Sequence, residues 1–372
     1  LPSWRVGGVP NGWGGLIYLS FHISIAHGHS SITQRLCGKF AYNGGMTKHP
    51  FENLTPDCVQ DALHSVGLPG DGRMLALNSY ENRVYQVGIE DAQPMVVKFY
   101  RPARWSDAAI LEDHRFVDEL AANEVPVVPA VATANGQTLH HFAGFAFAVF
   151  PRRGGRAPEL DRAGTLEWIG RFLGRIHAVG AEHAFAERPL LDLASFGFAS
   201  RDFLLEHGFI PGTLQASWES VVAQALAGVA ECYQRAGTVT TLRLHGDCHP
   251  GNILWTDDGP HFVDFDDCRQ GPAIQDLWML LSGDAPEQAQ QLAQIIKGYS
   301  AFHRFDRRQL HLIEALRTLR LLHYSAWLAR RQDDPAFAVA FPWFNTVRYW
   351  QDRILELREQ IALMQEPVLD LP

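Results

Sequence analysis

Hydrophobic and polar positions change period near residue 151, and that change sets the predicted architecture. Before it, short apolar runs, most of them with β-branched or aromatic residues, recur at Met74–Leu77, Arg83–Val87 and Met95–Tyr100, with two more at Val127–Thr133 and Phe142–Phe150. Such runs, bounded by turn residues, predict a small antiparallel sheet. A short helix is expected from Thr55 as cap and Pro56 in the first turn, through Val59, Ala62, Leu63 and Val66, to a stop at Gly67. The main helix of this half should run from Ser106 to Asn123, with Ala109, Phe116 and Leu120 on its apolar side. Beyond a hinge at Pro151–Arg156 the spacing turns helical: Leu166, Ile169, Phe172, Leu173 and Ile176 share a face, and Gly180 ends it. Further helices are predicted at 215–235, 273–282, 286–303, 308–331 and 345–364. The expected fold class is α+β in two lobes, a sheet-based lobe at 46–150 and a larger, mostly helical lobe at 151–372. Residues 1–45 are rich in Gly, Ser and His and lack sustained periodicity, so they are expected to be an extension or disordered tail preceding Met46.

Composition narrows the function classes. With 372 residues the chain is long enough for two lobes, and 47% hydrophobic with 20% charged content suits a soluble globular protein. A formal net charge of −9 argues against a general nucleic-acid binder, which needs a basic footprint. The most apolar early stretch, Leu16–Ala26, is too short and too polar to span a membrane. Five cysteines, odd in number and without paired spacing, fit a reducing cytoplasm.

The chemistry concentrates in one stretch, Leu244-His245-Gly246-Asp247-Cys248-His249-Pro250-Gly251-Asn252, followed by Phe262-Val263-Asp264-Phe265. His245, Asp247 and Asn252 keep the spacing of the catalytic loop H-R-D-x-x-x-x-N, and Asp264-Phe265 takes the place of the start of D-F-G. Phosphoryl transfer needs one carboxylate at the hydroxyl nucleophile, and an amide oxygen plus a second carboxylate to hold magnesium on the ATP phosphates. Asp247 is therefore the candidate base, with Asn252 and Asp264 the candidate metal ligands. The runs Ile253–Trp255 and His261–Val263 predict a hairpin that holds Asn252 beside Asp264. A helical zinc pair at His245 and His249 is disfavoured, because Pro250 and Gly251 interrupt any helix there.

Such a site also needs a lysine on the third strand and a helical acid to hold it. Lys98 lies in Val96-Val97-Lys98-Phe99, and Glu112 on the following helix is its expected partner, with Asp113 and Glu119 as competitors. No G-x-G-x-x-G occurs in this lobe. Its place is taken by Leu77-Asn78-Ser79-Tyr80-Glu81-Asn82-Arg83, where Ser79 and Asn82 are the candidate ATP-contacting residues. Asp276, at the start of a predicted helix, is expected to brace the catalytic loop.

These motifs resemble the aminoglycoside-phosphotransferase-like kinases, which share the two-lobed protein-kinase fold. The longer segments Leu77–Gln86, Val96–Pro102, Arg243–His249 and Gln275–Leu281 are similar to the bacterial stress response kinases within that superfamily. The resemblance runs from about Met46 to the C-terminus. It implies a cytoplasmic, monomeric Ser/Thr protein kinase dependent on ATP and magnesium, acting on protein substrates. Asp247 would then be the proton acceptor, Asn252 and Asp264 the magnesium ligands, and Ser79 the ATP-contacting residue. A kinase for a small alcohol such as an aminoglycoside, choline or homoserine would share this phosphate site and is the alternative. A catalytically silent nucleotide binder is disfavoured by the intact Lys98, Asp247, Asn252 and Asp264.

Overall fold

The computed structural model describes residues 50–77 and 79–371, so the expectation for residues 1–45 lies outside the described residues. Helix α1 (Pro56–Ser65) starts where Thr55 Oγ1 accepts the Cys58 amide at 3.2 Å, satisfying an otherwise orphaned donor. Strands β1 (Gly70–Leu77), β2 (Arg83–Ile89) and β3 (Met95–Phe99) follow, then α2 (Asp107–Ala122), capped by Ser106. Strands β4 (His140–Phe142) and β5 (Phe145–Pro151) complete an antiparallel sheet in the order β1-β2-β3-β5-β4.

Side-chain alternation along β3 separates two faces. Val97 and Phe99 are buried with Val59, Leu63 and Phe147 on the side that α1 covers. Lys98, between Val84 and Ala148 in the ladders, belongs to the opposite face, where Ala148 packs with Tyr100 and with Ile110 of α2.

The expected strand at Val127–Thr133 does not form. Pro126 and Pro129 lack amide donors, and the segment meets the neighbouring strands through an isolated bridge from Val127 to Phe262 and a bond from Val131 N to Val149 O, 2.7 Å. The edge is β4 instead, turned into β5 by Ala143 and Gly144, both at positive φ.

The second lobe is built on α3 (Thr165–Gly180). A π-helical turn at Leu193–Phe198 runs into α4 (Ala199–Glu206), a pair the hydrophobic spacing did not reveal, and α5 (Gly212–Ala236) follows. Strand β6 (Thr241–Leu244) leads into the catalytic loop, and β7 (Ile253–Thr256) and β8 (Gly259–Phe262) form the predicted hairpin. Strand β9 (Arg269–Pro272) returns antiparallel to β6. The helix expected at 273–282 shrinks to α6 (Ile274–Trp278), followed by α7 (Ala285–Tyr299). The 308–331 expectation divides into a 3₁₀ turn at Arg307–Leu312 and α8 (Ile313–Ala329); α9 (Phe337–Ala340) and α10 (Val347–Leu363) end the fold. Helices α3 and α7 cross closely enough that a Cβ at Gly170 would strike the Ile295 carbonyl, and one at Gly298 the Glu167 carbonyl. That crossing fixes His177 and Tyr299, whose role appears below.

Candidate active site

The catalytic loop is held from beneath by one carboxylate. Asp276, fully buried, accepts the His245 amide at 2.8 Å on Oδ2 and the Gly246 amide at 2.9 Å on Oδ1. His177 Nε2 lies 3.0 Å from Asp276 Oδ2, and its Nδ1 is 2.9 Å from the Tyr299 hydroxyl. Asp276 already accepts two backbone amides, and the arrangement suits His177 donating to it from Nε2 while Nδ1 accepts from the Tyr299 hydroxyl. Gly246 is needed here, since its φ is 84° and a Cβ would strike the Asp267 carbonyl. Asp276 thus braces the loop, as its place in the sequence suggested.

His245 joins the two halves of the motif. It is fully buried, its Nε2 donates to Val263 O at 2.9 Å, and its ring lies tilted against Phe265 with centroids 4.3 Å apart. Asn252 Nδ2 donates to Asp247 O at 2.9 Å, and Asn252 O accepts the Val263 amide at 3.0 Å. The hairpin therefore sets Asn252 close to Asp264, as its turn predicted. Asp264 itself takes a left-handed backbone (φ 64°, ψ 61°), and its side chain stays 52% exposed, open to the cleft.

Lys98 reaches the same point from the sheet. Its Nζ lies 2.8 Å from Asp264 Oδ1 and 2.9 Å from Asp266 Oδ1. Burial works against the ammonium charge, but the carboxylates of Asp264 and Asp266 outweigh it and hold the group well above its ordinary range. The lysine is a fixed cation.

Two expectations about its surroundings need correction. Glu112 does not meet Lys98: its carboxylate accepts the backbone amides of Ala186, Glu187 and Arg188 at 2.6, 2.9 and 2.8 Å. One residue of helix is about a 100° turn, enough to face Glu112 to that loop and bury its neighbour Asp113 instead. Asn82 is likewise not a free phosphate donor. Its side chain donates to Asp266 Oδ2 and accepts the Arg101 amide at 3.1 Å, so it steadies the carboxylate that holds Lys98. Ser79 stands at the β1–β2 turn, and its hydroxyl makes no hydrogen bond among the described residues.

Asp113 carries a pH consequence. Burial pushes its carboxyl up to about 7, and the Arg188 guanidinium, 3.6 Å away, only partly offsets this. A folded-state value above the unfolded one means the native protein binds the extra proton. Stability from this group is then lost as pH rises from the unfolded value to about 7, and is constant beyond it. Asp113→Asn removes that dependence. Its stability in urea should gain on wild type by on the order of 2 kcal/mol between pH 5 and pH 7.5, and a parallel pair of pH profiles would refute the assignment.

The acidic run after Asp264 is paired within the protein. Asp267 Oδ1 pairs with Arg104 and Arg269, each at 2.8 Å, which holds its carboxyl well below the usual range against the opposing effect of burial. Arg188, invisible to motif reading, donates to Asp266 O at 2.6 Å and to Ala109 O at 2.9 Å, tying α2 to this segment.

The loop that lacks glycines is clamped from the other lobe. Tyr80 meets Phe341, Trp327 and Phe337 edge-on at 4.9, 5.8 and 6.2 Å. Glu81 Oε2 takes Arg331 at 2.6 Å, and Arg101 takes Asp334 at 2.8 Å. An aromatic residue inside a polar turn was the one sequence signal for this clamp.

The oxygen donors fit magnesium. Asn252 Oδ1 receives no donor among the described residues, and Asp264 is half exposed. A pair of hard oxygen ligands that leaves other positions to phosphate and water is how magnesium is usually bound.

A lysine on a sheet face, an aspartate in a braced loop, and an Asn/Asp pair on a hairpin define a phosphotransferase of the two-lobed kinase class. The chain belongs to the phosphotransferase enzyme family, whose model matches residues 74–313. It is 48% identical over 321 residues to stress response kinase A of Escherichia coli strain K12, covering 86% of this chain and 97% of that one. Identity is 47% over the same span to the serine/threonine protein kinase RdoA of Salmonella typhimurium, with the same coverage. Among solved structures, amicoumacin kinase hAmiN in complex with AMP-PNP, Ca²⁺ and Ami superposes with a TM-score of 0.63 at 20% identity, over 84% of this chain and 95% of that one. A microcompartment-associated aminopropanol kinase gives 0.63 at 18%, over 82% and 95%. At these identities the last two likenesses speak to the fold alone. Among the described residues, no helix is long and apolar enough to cross a membrane.

Proposed function

We propose that this chain is an ATP- and magnesium-dependent Ser/Thr protein kinase that acts in the bacterial stress response, as a cytoplasmic monomer. The observation that carries the reading is the convergence of Lys98, Asp264 and Asn252 on the braced loop of Asp247. The 48% identity to a named stress response kinase supports the substrate class.

In this reading Asp247 accepts the hydrogen bond of a Ser or Thr hydroxyl. It takes the proton as that oxygen bonds to the γ-phosphorus and the bond to the β–γ bridging oxygen breaks, releasing ADP. Lys98 fixes the nucleotide phosphates, and Ser79 contributes a donor at the β1–β2 turn. Magnesium held by Asn252 and Asp264 would neutralise phosphate charge.

The test is incubation with radiolabelled ATP and magnesium, alone, with a protein substrate, and with a panel of small alcohols and aminoglycosides. Label is expected on protein serine or threonine. Asp264→Ala should lower the rate by about 10²–10³-fold, the usual loss when one preorganised charge stabiliser is removed. Label confined to a small alcohol would move the acceptor to the alternative class.

A further inference from the structure

Arg320, on the exposed side of α8, makes an ion pair of 2.8 Å with Asp247 Oδ1. The other carboxylate oxygen is 3.6 Å from His249 Nε2. An acceptor hydroxyl approaching Asp247 must therefore share or displace this guanidinium. The pair is easily exchanged, because Arg320 keeps 42% of its side chain exposed and water screens it. Once displaced, the guanidinium is free to pair with another anion.

One observation bears on the charge of an incoming segment and a second on the room for it. Residues 301–331 carry seven arginines against only Asp306 and Glu314, in a chain whose formal net charge is −9. Several are neutralised internally: Arg308 by Asp306, Arg317 by Glu314 and Arg331 by Glu81. Asp247 is the only partner of Arg320 among the described residues. The second observation is a cavity of ≈1090 Å³ lined by His249, Pro250 and Gly251 of the catalytic loop. Arg317, one turn before Arg320 on α8, and Arg235 also line it, with the acidic Asp284, Glu314, Glu366 and Asp370 and the apolar Met279 and Leu281. An extended segment passing Asp247 has room to continue there.

We infer that Arg320 is a specificity-determining residue: it pairs with Asp247 until a protein acceptor arrives, then turns to an acidic side chain flanking the phosphoacceptor Ser or Thr. The inference rests on the protein-kinase reading above. It makes the acceptor its own key, since only an acidic neighbour gives the displaced arginine a partner.

The experiment compares peptides with one serine flanked by Asp/Glu, by Ala, or by Lys/Arg, using labelled ATP and magnesium. Wild type, Arg320→Ala, Arg320→Lys and Arg320→Glu are each measured for kcat and KM, with thermal melting as the fold control. Wild type should favour the acidic peptide over the alanine peptide by about three- to fivefold in kcat/KM, chiefly through KM, a difference within reach of one exposed charge pair. Arg320→Ala should abolish the preference, Arg320→Lys keep part of it, and Arg320→Glu favour the basic peptide. A preference unchanged in the variants, or absent in wild type, overturns the inference while leaving the kinase reading intact. So does an equal loss of kcat on every peptide, which would assign Arg320 to the transferring phosphoryl group. Wild type that labels small alcohols but neither peptide nor protein removes the protein-kinase reading, and this inference with it.

Discussion

Asp247→Asn is expected to lower kcat by about 10²–10⁴-fold, the usual contribution of a positioned general base, with little change in melting temperature or in KM for ATP. The asparagine is isosteric and cannot take a proton. What it gives up structurally is small: the Arg320 pair is 42% exposed on the arginine side, and such pairs contribute roughly 0–1 kcal/mol. The backbone contacts of the loop do not depend on the side chain, because Asn252 binds the Asp247 carbonyl and Asp276 binds the His245 and Gly246 amides. Steady-state transfer from labelled ATP, beside a thermal melt, reads both quantities. A variant that turns over at the wild-type rate would remove Asp247 from the chemistry. One that melts far earlier would make it a structural residue.

Asp276→Ala should do the opposite, costing about 3–5 kcal/mol of stability, the scale for removing one partner from a buried charged network. Its carboxylate is fully buried and satisfies two backbone amides and His177. Alanine strands all three donors without water to replace the acceptor. The same change unpins the loop that carries Asp247, so kcat should fall as well. Asp276→Asn supplies the control: its single carbonyl oxygen can serve one amide, but its NH₂ faces a donor, so it should fall between alanine and wild type. Urea unfolding of the three proteins measures this, and an alanine variant as stable as wild type would refute the bracing role.

The parts of the site legible in the sequence are those whose geometry is set over a few residues. Asp247 and Asn252 lie within one turn of chain, closed by a bond from the Asn252 side chain to the Asp247 carbonyl. A four-residue strand, a tight turn and another four-residue strand then return the backbone to Asp264. Lys98 was readable because alternation in an apolar strand gives it one of only two faces. Thr55 was readable as a cap because a cap is a local hydrogen bond. Val127–Thr133 misled by the same token: its composition suits a strand, but Pro129 removes a donor from within it and Pro126 another just before it.

What the sequence by itself determined is thus the order of the chemistry: the lysine strand, the catalytic loop, the hairpin with its second aspartate, and the division into sheet and helices. Tertiary structure alone decided who meets whom across that order. It gave Lys98 to Asp264 and Asp266 rather than Glu112, turned Asn82 from a phosphate donor into a clamp on Asp266, and seated Tyr80 among the rings of α8 and α9. It also brought Arg320 of α8 onto Asp247. The physical reason is one of phase and docking. Adjacent residues on a helix point about 100° apart, so a pair such as Glu112-Asp113 offers its carboxylates to different neighbours, and only the packed position of α2 selects between them.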